Sequence, residues 1–404
     1  MAEKFGLIGQ NIAISLSPRI HKSFFDYSYE LFSVSEEQMN EMLGTRDFDG
    51  LNVTIPYKKA VMPFLDEISP LAKRIGSVNT IVNRNGRLSG YNTDYYGFLR
   101  TLQNTKVKVK GKKALVLGSG GASLAVKTAL ADEGAEVIII SRSGKDNYEN
   151  ISRHYDASVI VNTTPVGKFP HNDETPLALD GFNNLEAVID INYNPVKSRF
   201  LIDAERKNAR VSGGLTMLVF QAKKSAEHFT GEPVPDEKAE RTEREILSEM
   251  KNIVLIGMPS CGKSTVGKII SGKMKRQFVD TDIMIENEYG ASPSSIITEK
   301  GEAHFRSLEA EQVKKAAKMT GAVISIGGGA VLRQENVDYL RQNGVLVYLD
   351  RPVDELISTD RPLSKNIEEL FRIRQPFYEN AADLKIKSQQ SAEETAELLI
   401  KNLP

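Results

Sequence analysis

The sequence predicts an α/β protein in three parts: an α/β domain, a βαβ-built unit with a parallel sheet, and a separate α/β domain, also on a parallel sheet. Three observations predict it. Apolar strand-like runs alternate with helix-like stretches along the 404 residues, the rhythm of βαβ construction. Two of those runs end in glycine-rich turns, at 118–122 and 257–265. The most polar stretch, 231–252, opens with two prolines just before the second turn, and dense mixed charge with proline marks a boundary. The division is therefore set near 240–250, giving 1–245 and 246–404. The polar stretch is expected to be a linker, or an exposed helix over EKAERTEREILSEM.

Residues 5–8 and 51–55 read as strands. Segments 78–83 and 87–91 flank Asn85-Gly86, a hairpin signal. ALVLG, a helical SLAVKTALADE, Gly134 and VIII then give strand–turn–helix–strand, a parallel βαβ unit. Strands follow at 158–161 and 187–191, and an amphipathic helix at 215–228 ends near Gly231. In the second part, strands are expected at 253–256, 277–279, 322–326 and 345–349.

Composition excludes several classes of function. Lys and Arg number 52 against 53 Asp and Glu, a net charge of −1, so no global field draws the chain to nucleic acid or an anionic membrane. No apolar run approaches the roughly 18 residues of a membrane span. Gln10 and Asn11 interrupt the first apolar stretch, unlike a signal peptide. A single cysteine, Cys261, excludes a disulfide framework and a multi-thiolate zinc site. Five scattered histidines argue against a transition-metal centre. A cytoplasmic monomer or homodimer acting on small molecules is expected.

Gly257-Met258-Pro259-Ser260-Cys261-Gly262-Lys263-Ser264-Thr265 fits G-x-x-x-x-G-K-[ST] between a strand and a helix. Successive backbone N–H groups there converge on phosphate oxygens at a helix N-terminus. Lys263 reaches the β- and γ-phosphates and the Ser264 hydroxyl ligates Mg²⁺, so ATP is the expected ligand. Asp280 and Asp282, at i and i+2 beyond a strand, can divide work between metal and substrate hydroxyl. Arg306, the glycines Gly327, Gly328 and Gly329 at a strand's end, Arg361 in R-P-L and Arg374 in R-Q-P-F-Y follow in order.

In that order these motifs resemble shikimate kinase over about 251–404. The resemblance implies transfer of the ATP γ-phosphoryl group to the 3-hydroxyl of shikimate. It places Asp282 on that hydroxyl, Arg306 and Arg374 on the carboxylate, Gly327–Gly329 against ring hydroxyls, Arg361 on the transferring phosphoryl group and Asp280 by Mg²⁺. The stretch LISTD before Arg361 is shorter and less basic than the family's usual lid.

Gly118-Ser119-Gly120-Gly121-Ala122 stands between ALVL and a helix, as a dinucleotide turn does. After the next strand, where an NAD-binding protein offers an acid, this chain has Ser141-Arg142-Ser143. An arginine between hydroxyls suits a 2′-phosphate, so NADP(H) is expected. Reducing a carbonyl needs a proton donor, and with zinc excluded a side chain must serve. Candidates are Lys58, closing the run from Asn52, and Asp94, closing Gly90-Tyr91-Asn92-Thr93-Asp94. Meeting across a cleft, they hold each other charged; spacing alone equally allows two surface charges.

Residues 1 to about 240 resemble shikimate dehydrogenase. The elements are Ser15-Leu16-Ser17-Pro18, NVTIPYK, Gly76-Ser77-Val78-Asn79-Thr80, Asn92-Thr93-Asp94, GSGGA, NTTPVG at 162–167 and GGLTMLVFQA ending at Gln221-Ala222. The resemblance implies NADPH-dependent reduction of 3-dehydroshikimate to shikimate in a Rossmann-like domain. The substrate part is then about 1–95 and 215–240, and the NADP part about 96–214. Lys58 and Asp94 form the catalytic pair and Lys58 donates the proton. Ser15 and Ser17 take the carboxylate, Thr54, Asn79, Asp94 and Gln221 the ring hydroxyls, and Tyr193 lies nearby. The first product is the second domain's substrate, so a bifunctional enzyme is expected. Two alternatives stay open: a quinate/shikimate dehydrogenase with another small-molecule kinase, or a fusion with one domain serving only as a ligand-binding module.

Overall fold

The structure, a computed structural model, describes residues 4–10, 12, 15–356 and 367–403. It falls into two units. The first takes the chain up to Lys168, Glu174–Tyr193 and Phe200–Ile246; the second takes Phe169–Asp173, Asn194–Arg199 and the chain from Leu247 onward.

Two sheets make the first unit. In one, β1 (Lys4–Gly9), β2 (Ser28–Ser33), β3 (Gly50–Val53), β4 (Glu67–Ile68), β5 (Thr80–Arg84) and β6 (Arg87–Tyr91) lie in the order β2-β1-β3-β5-β6-β4. β1 is parallel to β2 and β3, whereas β5 is antiparallel to β3 and β6. The β5–β6 hairpin turns on Asn85 (φ 54°) and Gly86 (φ 82°), the paired left-handed conformation that tight hairpins need. The strand expected at 51–55 stops at Val53. Pro56 has no N–H for a ladder, so the chain turns, Tyr57 N–H donating to the Thr54 carbonyl at 2.9 Å. Lys58 is thereby carried past the sheet's end.

The other sheet is parallel throughout: β7 (Lys113–Leu117), β8 (Glu136–Ile140), β9 (Val159–Asn162), β10 (Ala187–Asp190) and β11 (Arg210–Ser212), in the order β11-β10-β9-β7-β8. Strand order reverses between β8 and β9 at β7, where ligands of doubly wound sheets sit. Ala114 and Val116 point into one apolar cluster and Leu115 and Leu117 into another, as a strand covered on both faces requires. The helices Asp94–Thr105 and Leu215–Thr230 cross at Gly97, where a Cβ would strike the Met217 carbonyl. That close approach brings Thr93, which precedes Asp94, within 3.4 Å of Gln221.

The polar stretch forms a helix, Asp236–Met250, with Ala239, Thr242 and Ile246 buried. Lys223 pairs with Asp236 at 2.7 Å, and Arg100 pairs with Glu240. Spacing at i, i+3 and i+7 makes one packed face among charges, so this is a docked helix and neither an extended linker nor a fully exposed helix.

The second unit is built on β12 (Asn252–Ile256), β13 (Phe278–Asp280), β14 (Val323–Ser325), β15 (Gly344–Asp350) and β16 (Leu384–Lys387), all parallel in the order β13-β14-β12-β15-β16. All five residues of β12 are buried at its centre. Among the described residues, no helix is long and apolar enough to cross a membrane.

His21, fully buried in the first unit, stacks on Tyr29 with ring centroids 4.1 Å apart. Burial pushes its imidazole pKa down to about 3. In the unfolded chain a histidine takes its proton near pH 6.5, so between those values the unfolded state binds more protons. Stability is therefore lost as pH falls from about 6.5 toward 3, by up to about 1.4 kcal/mol per pH unit. The unfolding midpoint of the first unit should drop between pH 7 and 5, and His21→Gln should flatten that slope. An equally steep decline in the variant would contradict the assignment.

Candidate active sites

The first site lies where β3, β5 and the N-terminus of helix Asp94–Thr105 converge. Lys58 Nζ donates to Asp94 Oδ2 at 2.5 Å, and both side chains are largely buried, 13% and 8% exposed. Asn79 Nδ2 donates to the other carboxylate oxygen at 3.0 Å. Gln221 Oε1 stands 3.4 Å from Asn79 Nδ2, and Gln221 Nε2 donates to the Leu218 carbonyl. The structure thus brings together Lys58, Asp94, Asn79 and Gln221.

Ser15 Oγ donates to Ser17 Oγ at 3.1 Å. Thr54 continues the pairing of β3 through its N–H to the Ile8 carbonyl. Tyr193 is half-buried, and burial raises its phenol pKa. No described hydrogen bond joins Ser15, Ser17, Thr54 or Tyr193 to the Lys58–Asp94 pair.

The glycine turn follows β7 and opens helix Gly121–Asp132, whose cap residue Gly120 puts no side chain on the first N–H groups. Those donors remain available for an anion. The Lys58 stem lies against this turn: a Cβ on Gly121 would stand 3.2 Å from Lys58 Cδ. Ser119 and Gly120 are exposed, and Gly118, Gly121 and Ala122 are partly covered. After β8, Arg142 and Ser143 are exposed and Ser141 is half-buried. With no carboxylate among those three residues, this edge fits a 2′-phosphate better than a ribose hydroxyl.

The second site is a cleft of about 560 Å³ at the carboxyl ends of β12, β13 and β14, within the ordinary range for small-molecule pockets. Gly257 (φ 145°), Ser260 (φ 63°) and Gly262 (φ 94°) curl the loop into helix Lys263–Met274. Lys263 is buried, its Nζ donating to the Gly257 and Met258 carbonyls at 2.9 Å each; the buried Cys261 Sγ lies 3.9 Å away. Ser264 Oγ donates to Asp280 Oδ2 at 2.7 Å, and Thr265 is exposed beside it. These hard oxygens are the donor set that Mg²⁺ takes.

Asp282, Arg306, Gly327–Gly329 and Arg374 line the same cleft. Arg374 is 5% exposed. Tyr378, one helical turn on, donates to the Gly328 carbonyl at 2.5 Å and so holds the glycine stretch. A side chain at 327 or 329 would have to push a neighbouring side chain aside. A Cβ at Gly327 would lie 2.5 Å from Glu309 Oε1, and one at Gly329 would overlap the Arg306 guanidinium. Arg361 lies outside the described residues.

Glu309 escaped the sequence reading. It is 1% exposed, binds Arg306 through Oε2 at 2.8 Å, and its Oε1 has no hydrogen-bond partner among the described residues. Burial pushes its carboxyl pKa up against the pull of Arg306. Its i+3 spacing from Arg306 was the available signal.

Fold and sites together define a two-site α/β enzyme, a dinucleotide-linked reductase followed by a P-loop phosphotransferase. Residues 7–81 match the shikimate dehydrogenase substrate binding domain, and residues 259–404 match shikimate kinase. A shikimate dehydrogenase (NADP(+)) of Clostridium beijerinckii is 43% identical over 246 residues, 56% of this chain and 91% of that protein. Shikimate dehydrogenase 1 of Peptoclostridium difficile, 36% identical, superposes with a TM-score of 0.57 over 60% of this chain and 97% of its own. The Thermus thermophilus enzyme, solved with NADP(H) and shikimate, is 33% identical with a TM-score of 0.55, covering 60% of this chain and 99% of its own. The chain belongs to the shikimate dehydrogenase family and carries a shikimate kinase domain after it, which makes it a bifunctional enzyme of the shikimate pathway.

Gly329→Ala is expected to displace the Arg306 guanidinium. If Arg306 holds the acceptor's carboxylate, loss of that charge-assisted bond should raise the acceptor KM in phosphoryl transfer by about tenfold or more. An unchanged KM would separate Arg306 from acceptor binding.

Proposed function

We propose that residues 1–245 reduce 3-dehydroshikimate to shikimate and that residues 246–404 phosphorylate the shikimate 3-hydroxyl. In the first half, 1–95 and 215–240 form the substrate part and 96–214 the NADP part. The supporting observation is the Lys58–Asp94 pair, 2.5 Å apart, nearly buried, its lysine stem against the dinucleotide turn. NADPH supplies the hydride of the first reaction, and ATP with Mg²⁺ supplies the phosphoryl group and charge neutralisation of the second.

The chain's own residues do the rest. Lys58 gives its proton to the carbonyl oxygen as that oxygen becomes a hydroxyl, and Asp94 holds the ammonium in place. Asn79, Gln221 and Thr54 orient the ring through its hydroxyls, while Ser15 and Ser17 take the carboxylate. Gly118–Ala122 receive the dinucleotide's pyrophosphate, and Arg142 with Ser141 and Ser143 its 2′-phosphate.

In the second half, Asp282 accepts the proton of the 3-hydroxyl and Arg306 and Arg374 clamp the carboxylate. Gly327–Gly329 contact the ring hydroxyls. The loop Gly257–Thr265 cradles phosphates, Ser264 and Asp280 supply metal ligands, and Arg361 offsets charge on the transferring group.

Supplied with 3-dehydroshikimate, NADPH and MgATP, the protein should form shikimate 3-phosphate. Lys58→Ala should block only the reduction and Lys263→Ala only the phosphorylation. Arg361→Ala should slow phosphorylation on the order of 10³-fold. Failure to consume NADPH with 3-dehydroshikimate would overturn the first assignment; failure to consume ATP with shikimate would overturn the second.

A further inference from the structure

Behind Asn79 lies a group of hydroxyls that the mechanism above does not use. Thr80, Thr93 and Ser225 are all fully buried, and Asn52 is 4% exposed. Thr93 Oγ1 lies 3.0 Å from Ser225 Oγ and 3.3 Å from Thr80 Oγ1; Thr80 Oγ1 lies 2.8 Å from Ser225 Oγ. Thr93 caps the helix that begins at Asp94, yet its side chain makes no capping bond. Its hydroxyl is committed inward, to this cluster.

Each hydroxyl has one hydrogen, and counting them gives the cluster a direction. Ser225 Oγ donates at 3.0 Å to the Gln221 carbonyl, one turn back on its own helix, and a carbonyl can only accept. With its hydrogen spent there, Ser225 has two lone pairs to fill: Asn52 Nδ2 takes one at 2.8 Å, and Thr93 takes the other when the nearby Thr80 hydroxyl donates instead to Asn79 Oδ1 at 3.2 Å. Thr93, donating to Ser225, accepts from Asn79 Nδ2 at 2.9 Å. The Asn79 carbonyl oxygen is held by the Thr93 N–H at 2.7 Å. Both ends of the carboxamide are then fixed, and its second N–H points at Asp94 Oδ1. A reversed amide would present an oxygen to that carboxylate.

We propose that Thr93 and Ser225 are positioning residues for the reduction. The one-way chain from Asn79 Nδ2 through the Thr93 and Ser225 hydroxyls to the Gln221 carbonyl holds the Asn79 carboxamide toward Asp94, and through Asp94 sets Lys58. Because it ends on Gln221, it also fixes the spacing of two ring-binding side chains. The inference rests on the roles proposed above for Lys58, Asp94, Asn79 and Gln221.

The test uses the full chain. Thr93→Val keeps shape and removes the hydroxyl; Thr93→Ser keeps the hydroxyl and removes a methyl. Thr93→Val and Ser225→Ala should lower kcat for 3-dehydroshikimate reduction by about 10- to 100-fold, the scale of a misplaced catalytic group. KM for NADPH and the phosphorylation rate should stay at wild-type values, and Thr93→Ser should recover most of the lost kcat. Wild-type kcat in both Thr93→Val and Ser225→Ala would overturn the proposal, as would Thr93→Ser being as impaired as Thr93→Val, which would mark a packing role. A wild-type chain that fails to reduce 3-dehydroshikimate would instead overturn the functional assignment beneath it.

Discussion

A charge withdrawn from water needs an opposite charge beside it, and each half of this chain is arranged around one such requirement. In the first half it is the Asp94 carboxylate, with Lys58 on one oxygen and Asn79 on the other. Three separate features serve it: the turn after Val53 that delivers Lys58, the β5 edge that delivers Asn79, and the close helix crossing at Gly97. In the second half it is Glu309, whose one oxygen holds Arg306 while the other faces the space that a side chain at 327 would fill. Loss of either cation would leave a buried carboxylate, which costs far more than an exposed ion pair is worth.

A second constraint places both sites. Parallel strands leave their carboxyl ends open, and the following helix N-termini offer unpaired N–H groups there. The glycine turn after β7 and the loop after β12 both use this edge. They differ in what lies opposite. The Lys58 stem reaches the first turn from the neighbouring sheet, so the buried lysine and the glycine turn come from different parts of the unit. Around the second loop, Asp280, Arg306 and Gly327–Gly329 come from the same sheet edge and its adjoining helix.

What was legible in the sequence was local. Asn85-Gly86 announced its hairpin, because two successive left-handed residues suit few other pairs. Glycine spacing with flanking apolar strands announced both strand-to-helix glycine turns, and fully buried strands such as Ile253–Ile256 stood out as unbroken apolar runs. Very short strands did not: Glu67–Ile68 carries no period to read. The 236–250 helix read as a linker or an exposed helix because Ile246 is the one large apolar residue on a packed face otherwise made of Ala239 and Thr242. Nor could partners distant in sequence be seen. Lys58 and Asp94 stood out as candidates by residue type, but their pairing was given only by the family resemblance, while Asn52 and Ser225, 173 residues apart, follow no spacing rule. Glu309 was closer to hand, three residues from Arg306, but a helical acid beside an arginine more often marks an exposed pair than a buried anchor.

The two sites share a small cyclic carboxylate on the reading proposed here, yet their linings differ. Beside Lys58, Asp94 is held by the neutral Asn79 amide, itself backed by hydroxyls; the cleft that holds Asp282 is also lined by Lys263, Arg306 and Arg374. The reactions account for the contrast. Adding a hydride and a proton to a carbonyl builds no lasting charge, provided the proton arrives at the right oxygen in the right direction. Such a step asks for fixed donors and acceptors, and additional cations near the ammonium would disfavour its charged form. Moving a phosphoryl group spreads negative charge over oxygens that must be neutralised in place, which neutral hydroxyls do poorly and guanidinium and ammonium groups do well. Ligand identity therefore does not determine which side chains surround it; the charge that develops in each transition state does.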